Sequence, residues 1–184
     1  MEVRPEIQLK VVLKALPDVI LPAIDPANKL AHEQTQLAIG TLQMVAKRLP
    51  IAFRYDRDEL ERYVALSKGL IAEVGATIKS SGMADLEHLA THAADVLDRA
   101  RAEPVELENA ALSLRSAVCE LMQEPEVVGN TQVKASMGRL ILDASKIELE
   151  RERALVVDMG FDTDTASLKP IEQQLAPIGK REIR

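Results

Sequence analysis

From about residue 26 to residue 160, apolar residues recur three and four positions apart, in segments closed by capping residues, glycine and proline. That spacing is the period of an amphipathic helix, and no run of alternating β-branched residues competes with it. Residues 5–16 are apolar almost all round (Ile7, Leu9, Val11, Val12, Leu13, Leu16) and begin at Pro5, which suits a first helical turn. Pro17 and Pro22 then predict a kink or restart. Asp25-Pro26 reads as an N-cap and first helical position, opening a second helix to Leu49. Its expected buried stripe is Leu30, Leu37, Thr41, Met44, Val45 and Leu49.

Asp56 and Glu59 read as a capping box for a third helix that buries Leu60, Tyr63, Val64, Leu70, Ile71, Val74 and Ile78 and ends at Gly82 as a left-handed cap. A fourth helix is expected over 83–102. Pro104 opens a fifth over 104–123, and Pro125 a sixth over 125–159, with Gly129-Asn130 as an early break. The pattern predicts an all-α up-and-down bundle of five or six helices, one domain over 1–160. Residues 161–184 read as a tail, mobile unless docked, with one helical turn near Ile171 to Leu175.

Composition sharpens this picture. At 184 residues the chain can bury a core without staples, and with only 2 % aromatics that core must be aliphatic. A net charge of −6 and a pI near 5.2 argue against a nucleic-acid surface, which needs clustered positive charge. No basic run exceeds two residues, so an anionic membrane is not an expected partner either. A lone Cys119 and an N-terminus unlike a signal peptide lead to the expectation of a cytoplasmic protein.

Candidate chemistry is sparse. Asp85, His88, His92 and Asp95 place four metal-ligand types along one line of the fourth helix. That row lies opposite the Leu86, Leu89, Ala93, Leu97 stripe, and the chain lacks the Glu-x-x-His pairs with which helical di-metal sites are built. The reading is a solvated face, with no metal and no cofactor expected. His32 falls off its helix's stripe and has no nucleophile near it in sequence. Cys119 reads as a small hydrophobe. No Gly-rich phosphate loop occurs. Phe53, Arg54, Tyr55 and Tyr63 concentrate aromatics and a cation where a turn is expected. They read either as a plug at the end of the bundle or as anchors for a partner.

Two further apolar lines stand apart from the main stripes, each spaced by seven: Val105, Leu112 and Cys119, then Leu142, Leu149 and Val156. Seven residues return to within ~20° on a helix, so each line is a narrow seam on a face that should be wet. Such seams call for a cover, either the chain's own termini or a second copy in a dimer. Glu148 to Arg153 reads instead as a solvated face, with i, i+3 pairs from Glu148 to Arg151 and from Glu150 to Arg153.

The phrase Val-Val-Leu-Lys-Ala-Leu-Pro-Asp-Val-Ile-Leu-Pro-Ala-Ile-Asp-Pro over 11–26, with the helix that follows to Leu49, resembles a group of small bacterial helical proteins of unknown function. That group is encoded near acyl-CoA dehydrogenase-like and aminoglycoside phosphotransferase-like proteins. The resemblance covers about a fifth of the chain and implies an accessory role beside a small-molecule pathway; it brings no catalytic residues. The expected function is a non-enzymatic interaction or accessory protein, self-associating and open to a protein partner. The alternatives are a binder of an apolar molecule such as an acyl chain, then a metal-binding bundle.

Overall fold

Pro5 supplies the fixed φ of a first helical turn, and α1 runs from it over Pro5–Ala15. The structure, a computed structural model, describes residues 4–160 and 162–175. Phe161 and the Lys180-Arg181 pair lie outside them. Pro17 does not stop the chain from winding: a π-helical turn over Leu16–Ile20 absorbs its missing N–H, and α2 (Leu21–Ala23) continues the path.

The second helix starts later than Asp25-Pro26 suggests. The Asp25 carboxylate accepts from the Ala27 amide in a local turn, and Asn28 is the true N-cap, accepting from Ala31 at 3.1 Å. From there α3 runs over Lys29–Arg48 and passes into a 3₁₀ turn over Leu49–Ile51 that accommodates Pro50.

The third helix starts earlier than expected, as α4 over Ala52–Val74. Residues 53–57 are therefore helical rather than a turn, and Asp56 caps nothing. It sits inside the helix, where burial and the charge of Glu108 raise its pKa. Nor does Gly82 close this helix. Ser80 caps α5 (Ser81–Asp98), and Gly82 lies in that helix's first turn, its amide donating to Glu124 at 2.9 Å. A Cβ at Gly82 would stand 2.3 Å from that carboxylate oxygen, so close approach is what glycine supplies there. A Glu103–Glu106 capping box and Pro104 open α6 (Pro104–Leu121). The short α7 (Pro125–Val128) breaks at Gly129-Asn130 before α8 (Thr131–Val156), and a 3₁₀ turn over Val157–Met159 ends at Gly160, whose φ of 74° is left-handed. The tail forms α9 over Ile171–Gln174. The protein is all-α, with no strand among the described residues.

The chain divides into two compact units, where the hydrophobic pattern anticipates one domain and a tail. The larger comprises residues 53–152 and 170–184. Its core is aliphatic, centred on Leu60, Leu70, Leu86, Leu107, Leu114, Leu121 and Met137, all fully buried. Ala90, Ala93, Ala110, Ala111 and Ala117 keep the α5–α6 pair thin enough to pack closely. Each buried Leu contributes ~1.5–3 kcal/mol. Ile171 and Leu175 are buried as well, and Arg54 and Arg62 donate to the carbonyls of Leu175 and Gln174, both at 3.0 Å. This part of the tail is docked.

The smaller unit, residues 1–52 and 153–169, is built differently. Here α1 and α2 pack on α3 as a helical hairpin, and polar ties fasten it: Arg48 donates to the Leu155 carbonyl, Lys47 pairs with Asp158, and Arg153 grips Asp162 through two nitrogens. Those bonds hold the Asp162 carboxyl down to about 2. Yet no residue between 4 and 52 is buried.

Candidate functional site

The cause of that thinness lies in α3. At ~100° per residue its apolar positions form two stripes on opposite sides. Thr35, Ile39, Leu42, Ala46 and Leu49 make one, and all five are half-buried. The other is most of the stripe expected to face the core: Leu30 is 67 % exposed, Leu37 63 %, and Thr41 and Val45 are also open. Only Met44 and Leu49 of the expected set are half-buried. On α1, Leu9 and Leu13 are half-buried while Ile7, Val11 and Val12 are exposed, Val11 at 65 %. A groove of about 1110 Å³ runs along this unit, with Leu13, Leu37, Met44 and Met159 among its walls and Lys10 and Glu33 at its sides.

The seams on the later helices are bare too. Val105, Leu112 and Cys119 are exposed on α6; Leu142 and Leu149 are 62 % and 57 % exposed on α8, and Val156 is exposed at the end of that helix. No described element covers them.

The larger unit holds a polar cluster that the pattern reading placed in solvent. Arg151 has no exposed surface; its guanidinium bonds to Glu148, lies 3.0 Å from the nearly buried Asp58 carboxylate, and stacks 4.4 Å from the Tyr55 ring centre. Arg62 donates to the same Asp58 at 2.8 Å. The solvated-face reading of 148–153 therefore fails at Arg151, while Glu150 and Glu152 are exposed. The Glu148–Arg151 pair forms, but inside the protein, because Arg151 continues the inward sequence Met137, Ala144 at sevenfold spacing. Arg153 pairs with Asp162 in place of Glu150. Ile147, one turn from both Ala144 and Arg151, is exposed. The signal was that heptad; Asp58 gave none, since it lies off the apolar stripe of α4.

Around this cluster charges compensate. Burial pushes the Tyr55 hydroxyl up to about 12, against the pull of Arg151, and raises Tyr63 against Arg115, whose guanidinium sits 5.8 Å from its ring. Burial and the neighbouring Glu148 raise the Glu59 carboxyl. A groove of about 350 Å³ runs past Glu59, Tyr63, Arg115, Cys119, Glu148 and Leu149. Two guanidiniums against two carboxylates make Asp58, Arg62, Glu148 and Arg151 a neutral cluster that ties α4 to α8.

The aromatic candidates separate. Tyr55 and Tyr63 are half-buried under arginines, and Arg54 holds the tail. Phe53 alone is an exposed ring. Asp85, His88, His92 and Asp95 all lie on the open side of α5, with Asp95 paired to Arg99. Among the described residues no group of three or more His, Cys, Asp or Glu is arranged to hold a metal. His32 is half-buried, its Nε2 shielded and without a hydrogen-bond partner among the described residues. No described helix is long and apolar enough to cross a membrane.

No family profile matches the chain, no curated protein matches its sequence, and no solved structure matches its fold.

Proposed function

We propose that this chain is a non-enzymatic interaction or accessory protein that works as a homo-oligomer, with a dimer as its simplest form, in the cytoplasm. One observation carries the reading. The amphipathic pattern of α3 calls for burial of Leu30, Leu37, Thr41 and Val45, yet among the described residues that stripe stays exposed. A large apolar patch on a folded protein marks an association surface. The seams at Val105, Leu112, Leu142 and Leu149 offer a second surface of the same kind. The likeness of residues 11–49 to small bacterial helical proteins of unknown function, with the accessory role that it implies, points the same way. Native mass spectrometry of the full chain tests the proposal: the expected spectrum is a dimer with no retained small molecule. A monomer throughout would contradict it.

The groove beside α1 favours one second reading. About 1110 Å³ bordered by Leu13, Leu37, Met44 and Met159 would take an acyl chain. A monomer that releases a fatty or acyl species on denaturation would establish that function in place of the first.

A further inference from the structure

We infer that a second copy of this chain seats on the outer face of the α1–α3 hairpin, so that two hairpins close into one four-helix bundle. The inference rests on the self-association proposed above and says which surface carries it. A lone pair of helices is a single layer, and a helical layer needs another to bury its apolar side. Both members of this pair present one: Ile7, Val11 and Val12 on α1, and Leu30, Leu37 and Val45 on α3. The later seams lack this feature, since the unit that bears most of them already has a closed core.

Charge selects a copy of the same chain as the occupant. The hairpin unit carries eight basic and eight acidic residues in its sequence, so the net −6 of the chain falls entirely on the other unit. Two copies that meet through the hairpins bring neutral surfaces together; meeting through the α6 and α8 seams would oppose like charge. The groove bears two cations and two anions: Lys47 and Asp158 pair with each other, while Lys10 and Glu33 form no ion pair with another described residue. A twofold interface puts residue i of one copy against j of its partner and j against i. It can therefore satisfy both charges twice, Lys10 to Glu33 in each direction.

Light scattering on the full chain, with Leu37→Glu and Leu149→Glu variants at tens of micromolar, is the test. Wild type and Leu149→Glu should be dimers. Leu37→Glu should be monomeric with unchanged far-ultraviolet circular dichroism, since its side chain is already mostly in water. Lys10→Glu should weaken the dimer roughly tenfold, and Lys10→Glu with Glu33→Lys should restore it. A Leu37→Glu dimer alongside a Leu149→Glu monomer would overturn the inference and keep self-association, moving the interface to the seam. A wild-type monomer would overturn both. Failure of the charge exchange to rescue would overturn the twofold pairing even if Leu37→Glu dissociates.

Discussion

Arg151 is the residue on which the larger unit's polar interior turns. Removing one member of a buried charge set costs far more than the set contributes as a whole, because the remaining charges are left without water or partner. Arg151→Ala strips Glu148 of its bonded guanidinium and Tyr55 of its stacked cation. It should destabilise the protein by ~3–5 kcal/mol in urea denaturation. A loss below ~1 kcal/mol would place Arg151 among surface pairs, which contribute little. The tyrosines give a second residue-scale reading, since Tyr55 and Tyr63 are the only two in the chain. Both hydroxyls are raised by burial, Tyr55 to about 12. A raised hydroxyl favours the folded state below the unfolded pKa, ~10, and that contribution is lost as pH climbs through the folded value. Tyrosinate absorbance should thus lag in the native protein and appear near pH 10 once urea unfolds it. In Tyr63→Phe the remaining native transition should lie near 12. Native titration at pH ~10 would contradict the burial of both rings.

At the scale of elements, the N-cap of α3 separates two readings of the same residues. Asn28→Ala removes the acceptor for Ala31 and should cost ~1 kcal/mol; Asp25→Ala loosens only a local turn and should cost less. Paired urea melts followed by helicity decide it, and the reverse order would restore Asp25 as the cap. The helices themselves were legible wherever a strong local signal stood alone. Pro104 opening α6, the break at Gly129-Asn130, Gly160 at the close and the turn near Ile171 are all local chemistry. Signals with two meanings mislead. Asp56 and Glu59 match a capping box, but uninterrupted helix formers on both sides let α4 run through them. Gly82 matches a helix end, but an incoming Glu124 needs its space. α3 is apolar on two sides, and periodicity cannot say which side packs first. The buried Arg151 was hidden because charge outweighs register in any hydropathy reading. The seams on α6 and α8, read from sevenfold spacing, do lie on open faces.

At the scale of the whole molecule, the two units differ in what holds them. One has a closed aliphatic core; the other is a hairpin fastened by ion pairs and one half-buried stripe. Local stability follows buried apolar contact, so backbone hydrogen bonds of α3 should open far more readily than those of α5 and α6 when the chain is monomeric. Association should change only the first set, because a partner that binds the folded form stabilises what it covers in proportion to its concentration. Amide hydrogen exchange of the full chain, followed by mass spectrometry across a range of protein concentration, tests this most directly. Peptides from α1 and α3 should exchange more slowly as concentration rises, and Leu37→Glu should abolish the effect, while α5 and α6 stay unchanged. Exchange in α3 that is independent of concentration would contradict the claim that a second copy shelters Leu30, Leu37 and Val45.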